Sequence, residues 1–414
     1  MTDYKITEFL ERLESELRYL VGLDLQRDIG NWYDEMTDTQ QILDNGVSSV
    51  DVPFIVAMTG NAAGITWSGV SGEAASGCAA SLDTAFRIFS MTKAIGCVAA
   101  MMLIDRGKLC MDTPVASILP VWDELSVLDG WDGDLPVLRP PRVTATIRHL
   151  ATHTSGLEYE LYNQDVSKYL KVTGYPSILS GRKRALLSYP LTSDPGTRWG
   201  YGIGVDWLGQ VVEAIDGRGI DDFCTKEIFE PLGMHSTNFE SAILRDRIAS
   251  VYQRDKNQEF TLFEFSPPAQ PEFYGMGHAL YSTAPDYLNF LRMFLNGGQL
   301  NGNRILSSAA MEEMLANQMQ GKTFRTMYTL APLITADVEL PEGTAHSFTC
   351  SRTESDQLGR RRSGSQSWAG VCNTHFWVDL KSDIAAVFMT QSLPFLEPRF
   401  RKTYDTFETA IYAN

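Results

Sequence analysis

The chain has no C-x-x-C pair, no excess of basic residues, no internal repeat or low-complexity tract, and no apolar run of membrane-spanning length. Each absence narrows what it can be. The six cysteines, at 78, 97, 110, 224, 350 and 372, are scattered, so no disulfide framework is required. Cys97 falls inside an apolar helical pattern, where a free buried thiol is expected. The net charge of −16 argues against a nucleic-acid partner and against binding to an anionic membrane surface. No stretch reaches the roughly 20 apolar residues of a transmembrane helix. The first residues are too acidic and polar for a secretory signal, so a cytoplasmic location is expected.

What is present describes an ordinary globular protein. With 44% apolar and 21% charged residues over 414 positions, a large core and two lobes are expected. Residues 5 to 20 have the spacing of an amphipathic helix, with Phe9, Leu13, Leu17 and Leu20 on one face. A polar stretch follows, from about 21 to 50. Strands are expected near 53–58 and 64–69, separated by the turn Gly60-Asn61-Ala62-Ala63. From about 107 to 290 helix patterns and loops dominate, with helices expected near 204–216 and 284–295. Strands return near 346–352, 372–379 and 384–391, and a helix closes the chain near 400–412. Strands, then helices, then strands imply an α/β lobe interrupted by a helical one. The expected division is 1–105 and 296–414 for the two parts of the α/β lobe, with 106–295 mainly helical.

The most informative stretch is Ser90-Met91-Thr92-Lys93, at the head of the apolar run from Ala94 to Ile104. Residues three apart share a helix face, so the Lys93 nitrogen can reach the Ser90 hydroxyl. A free serine is a poor nucleophile, and a neighbouring amine can take its proton. Near a helix N-terminus, unpaired backbone N–H groups also favour a developing oxyanion. Alone the pattern is weak, since Ser-x-x-Lys arises about once or twice by chance in a chain of this size. A second copy, Ser180–Lys183, lies in a basic, glycine-containing stretch with no apolar helix behind it and is expected to be a solvated turn. In isolation a plain helix N-cap is the better reading of Ser90.

Three further segments change that balance. They are Arg148–Leu157, containing His153-Thr154-Ser155-Gly156; Asp194–Tyr201, running into Val205–Glu213; and Gly364–Val371, followed by Phe376-Trp377-Val378-Asp379. In this order and spacing the chain resembles the serine β-lactamase and penicillin-binding-protein superfamily from about residue 50 to 414. Within it, the resemblance is strongest to class C-like esterases (family VIII carboxylesterases) and lovastatin-type acyltransferases. It implies an α/β (α+β) fold, with an antiparallel sheet flanked by the terminal helices, an inserted helical lobe, and the active site between lobes.

Carried over by motif position, the resemblance makes Ser90 the nucleophile, Lys93 its general-base partner and Tyr201 the proton relay. The backbone N–H groups of Ser90 and Val371 become the oxyanion donors. Ile203 stands where the family often has asparagine, so an amide that would orient the lysine or touch the acyl chain is missing. Trp368-Ala369-Gly370 occupies the place of the β-lactamase Lys-Thr-Gly. An indole cannot hold a β-lactam carboxylate but can pack on an acyl or alcohol group. Tyr159, Ile203 and Tyr281 are expected to line the substrate cleft with Trp368, Ala369 and Gly370.

Several other features have plainer explanations. Arg360-Arg361-Arg362 is expected to be a solvated basic turn, with a carboxylate anchor as the sharper alternative. His149 and His153 are four apart but have no third ligand in view, so no metal is expected. Gly200, Gly202 and Gly204 do not make a nucleotide loop. No cofactor is implied. The expected activity is a serine hydrolase that forms an acyl-enzyme from a small-molecule ester or other acyl donor. Transfer of the acyl group to an alcohol or amine is the alternative, and a non-catalytic binding protein a minor one.

Overall fold

The computed structural model describes residues 39–413 apart from Ser266. The amphipathic helix expected over 5–20 lies outside them, as does most of the polar stretch after it. Among the described residues the centre of the molecule is an eight-stranded antiparallel sheet. Its strands are β1 (Phe54–Gly60), β2 (Ile65–Ala75), β3 (Cys78–Ala79), β4 (Thr344–His346), β5 (Ser351–Thr353), β6 (Gln366–Gly370), β7 (Thr374–Asp379) and β8 (Ile384–Met389), in the order β4-β5-β6-β7-β8-β1-β2-β3. Early and late parts of the chain thus build one sheet. The expected single strand over 346–352 is instead two short strands joined by a turn.

β1 is buried along its whole length because both of its faces are covered. Ile55 and Ala57 face the helices α1 (Thr39–Ser48) and α5 (Pro398–Ala413), packing with Ile42, Leu43, Phe400, Tyr404 and Phe407. Phe54, Val56 and Met58 face the main core on the other side. There lie α2 (Thr92–Asp105), α3 (Gly204–Asp216) and α4 (Ala284–Leu295), and the last two match the helices expected from periodicity. α2 is apolar on all sides, and every residue from Thr92 to Leu103 is buried, as befits a helix at the centre of a core. A hairpin of Val127–Asp132 and Leu135–Arg139 was not expected within the helical region. The six cysteines are free. No helix among the described residues is long and apolar enough to cross a membrane.

The three arginines before β6 depart from expectation. Arg360 pairs with Asp405 and Glu408, and Arg361 pairs with Glu408 while its guanidinium lies 5.4 Å from the Trp377 ring. Only Arg362 is exposed on the surface, where it pairs with Asp356. Arg360 and Arg361 therefore tie β6 to α5. They are neither a solvated turn nor a free anion site.

Candidate active site

Ser90 does not sit on α2 itself but in the 3-10 turn Phe89–Met91 that leads into it. Phe89 holds φ at +42°, a conformation that side chains other than glycine adopt only under constraint from their surroundings. That kink presents Ser90 to the wall of a cavity while Lys93, one turn on, points into the core and is 1% exposed. Lys93 Nζ donates to Ser90 Oγ at 3.1 Å, to Tyr159 OH at 3.0 Å and to the Gly277 carbonyl at 2.8 Å. Three oxygen acceptors match the three N–H bonds of an ammonium. A neutral amine would keep its two donors for Gly277 and Tyr159 and turn its lone pair to Ser90.

Tyr201 OH donates to the same Ser90 Oγ at 2.7 Å, and the Lys93 nitrogen lies 4.9 Å from the Tyr201 ring centroid. The Tyr201 loop is fastened to the Tyr159 loop, because Tyr159 N–H donates to the Tyr201 carbonyl at 2.9 Å. Burial, and then the negative charge of Asp206, hold the Tyr159 phenol well above its usual range, so it stays protonated. Behind Tyr201 stand Trp199, His153 and Trp368, with His153 4.9 Å and Trp368 5.4 Å away between ring centroids. Burial keeps His153 neutral, its affinity for a proton falling well below that of a free imidazole.

β6 ends beside the serine. A Cβ on Gly370 would run into the Ile88 carbonyl oxygen and Thr374 Oγ1, so only glycine lets this strand come so close. The next residue, Val371, lines the same cavity as Ser90. That cavity holds about 240 Å³, and its wall is mainly apolar, including Val251, Phe263, Phe265, Ile334 and Leu393. A second cavity of about 250 Å³ lies on the far side of Tyr201, lined by Trp368 and Ala369.

The structure thus brings together Ser90, Lys93, Tyr201, Tyr159 and Val371. Trp368 and Ala369 line the second cavity, and Gly370 is the close-approach point between β6 and the Ser90 turn. Two residues expected in the cleft are elsewhere. Ile203 is fully buried in the core at the start of α3, and Tyr281 is buried and does not line the Ser90 cavity. Ser180 and Lys183 belong to separate short turns, with Gly181 between them at φ +66°. The spacing of one helix face is therefore lost there, as expected. His149 caps the short helix Ile147–Ala151, and no cluster of metal-ligating groups occurs among the described residues.

Sequence reasoning missed the means by which Lys93 is held. Besides Ser90 Oγ, Lys93 Nζ is held by the Tyr159 hydroxyl and the Gly277 carbonyl. Gly277 lies 184 positions from Lys93, and nothing in local spacing signals that contact.

Comparison with known proteins shows which family the chain is similar to. The beta-lactamase family model matches residues 40–411. The protein Rv1367c of Mycobacterium tuberculosis is 32% identical over 317 residues, 75% of this chain and 78% of that one. Lovastatin esterase of Penicillium rubens is 26% identical over 75% of this chain and 80% of its own length. A mutant form of simvastatin synthase from Aspergillus terreus shares the fold, with a TM-score of 0.78 at 24% identity over 91% of this chain and 94% of that one.

Proposed function

The chain belongs to the beta-lactamase family, and from that membership we propose that it is a serine carboxylesterase working through an acyl-enzyme. The observation that carries this reading is a single oxygen. Ser90 Oγ is bonded by both Lys93 Nζ and Tyr201 OH at the edge of an apolar cavity. In the proposed reaction Ser90 attacks the ester carbonyl as its proton passes to the Tyr201/Lys93 pair. The acyl chain occupies the apolar cavity. The N–H groups of Ser90 and Val371 receive the oxyanion, each contributing on the order of 3 kcal/mol in the transition state. The alcohol leaves with the returned proton, and water releases the acid. The likeness to lovastatin esterase supports hydrolysis. Delivery of the acyl group to an alcohol is the alternative outcome of the test below.

Substrate class follows from charge. Among the described residues no arginine or lysine lines the Ser90 cavity, and Lys93 reaches it only through its bond to Ser90 Oγ. Trp368 stands where a β-lactamase carries a cation, and Arg360 and Arg361 are already paired. Loss of one charge-assisted hydrogen bond costs about 1.5–3 kcal/mol. Nitrocefin should therefore have a kcat/KM at least tenfold below that of p-nitrophenyl butyrate. Comparable values would contradict the ester assignment. Intact-mass measurement with p-nitrophenyl butyrate should show one butyryl group on Ser90, and adding short alcohols should not divert most of the acyl group from water. Predominant ester product would establish transfer instead.

Gly370→Ala tests the oxyanion arrangement. The added methyl must push β6 away from Ile88, taking the Val371 N–H with it. A shift approaching 1 Å costs about a hundredfold in rate, whereas overpacking costs about 1–3 kcal/mol of stability. A variant with unchanged kcat/KM would show that this strand end does not set the geometry.

A further inference from the structure

Next to the Ser90 site lies a polar pair that the reaction above does not use. Asp206, in the first turn of α3, is completely buried. Its Oδ1 accepts from the Gly277 N–H at 3.0 Å and lies 3.3 Å from His278 Nδ1, while Oδ2 receives no hydrogen bond. A carboxylate taken fully out of water needs compensation. Here the available groups are one peptide N–H and one imidazole. The site is shaped for them: a Cβ on Gly277 would collide with Asp206 Oδ2, and one on Gly275 with Asp206 Oδ1 and the His278 ring. At 3.3 Å His278 Nδ1 makes no hydrogen bond to Asp206 in this geometry, and catalytic hydrogen bonds commonly tighten when substrate binds.

The pair is joined to the nucleophile. The carbonyl that receives Lys93 at 2.8 Å belongs to the peptide linking Gly277 to His278. Two hydrogen bonds therefore separate Ser90 Oγ from the His278 backbone. The His278 ring is buried at Nδ1, is 14% exposed overall, and forms part of the wall of the Ser90 cavity. Nδ1 lies on the Asp206 side of the ring, so Nε2 is the nitrogen that the proposal below assigns to the cavity. A carboxylate on one nitrogen fixes the tautomer that leaves the second as an acceptor.

We infer that His278, oriented by Asp206, is the general base of the second half-reaction. This rests on the acyl-enzyme reading given above. Water in the cavity gives a proton to His278 Nε2 as its oxygen bonds to the acyl carbon. The tetrahedral intermediate then breaks its bond to Ser90 Oγ, which takes a proton from the Tyr201/Lys93 pair. The acid departs, and the imidazolium proton passes through cavity water to the Tyr201/Lys93 pair, which replaces the proton given to Ser90 and returns every group to its starting state. Acylation continues to rely on Lys93 and Tyr201, so the two halves of the cycle separate on different residues.

Pre-steady-state turnover of p-nitrophenyl butyrate, followed by time-resolved intact mass, tests this on the wild type, His278→Gln, His278→Ala and Asp206→Asn. The expected result for the His278 variants is a full burst of p-nitrophenol at an acylation rate within about threefold of wild type. Decay of the butyryl-Ser90 adduct should then be about a hundredfold slower. Added imidazole should shorten the adduct lifetime in His278→Ala but not in the wild type, and Asp206→Asn should slow adduct decay in the same direction. Unchanged adduct lifetime, or equal slowing of both steps without imidazole rescue, would overturn the proposal while leaving the serine esterase reading intact. If the wild type never becomes acylated on Ser90, that reading fails and this proposal with it.

Discussion

Replacing Ser90 by alanine is expected to lower ester hydrolysis by about four orders of magnitude or more, to the level left by binding alone. The fold should survive. Ser90 lies at the cavity wall and contributes one hydroxyl, which receives bonds from Lys93 and Tyr201. Losing that oxygen leaves two donors that water entering the cavity can satisfy, so the stability cost should be about 1 kcal/mol. Thermal melting and the p-nitrophenyl butyrate assay, run side by side, separate the two effects. Ser180→Ala is the matched control. It removes the other serine that precedes a lysine by three positions, in a turn where no helix face is shared. Loss of activity in the Ser180 variant and not in the Ser90 variant would mean that the nucleophile has been misplaced.

The second large effect concerns proton handling. Lys93→Met and Tyr201→Phe should each lower kcat/KM by about a thousandfold, and the double variant should be little worse than either. Both groups bond the same oxygen, and Lys93 lies against the Tyr201 ring. Groups acting as one unit lose their function together, so their effects do not add. Lys93→Met also leaves the Gly277 carbonyl and Tyr159 hydroxyl without their donor, a penalty of about 1–3 kcal/mol for each buried group. Part of its effect will therefore appear as a lower melting temperature, whereas Tyr201→Phe should melt almost as the wild type does. Near-multiplicative losses in the double variant would show that lysine and tyrosine act in separate steps.

The sequence by itself determined the parts of this protein whose geometry is local. Ser90 and Lys93 meet because three residues along a helical path bring their side chains to one face, and the apolar run behind them could only be a buried helix. The helices at 204–216 and 284–295 were legible from periodicity, as was β1 from its unbroken apolar run. That Trp368 stands in place of a cation is what the family resemblance implies from the motif's position in the sequence. Tertiary structure decided the rest, because the contacts join segments far apart whose side-chain directions no spacing rule sets. Tyr159 and the Gly277 carbonyl hold Lys93 across 66 and 184 positions. Arg360 and Arg361 looked like a surface turn until α5 came to lie against them. Ile203 follows Tyr201 by two residues, yet α3 begins there and turns it into the core. Asp206 and His278 are unremarkable as letters in a sequence. They become a pair only because the 275–278 loop, free of side chains at Gly275 and Gly277, can press its backbone onto a carboxylate buried in the first turn of α3.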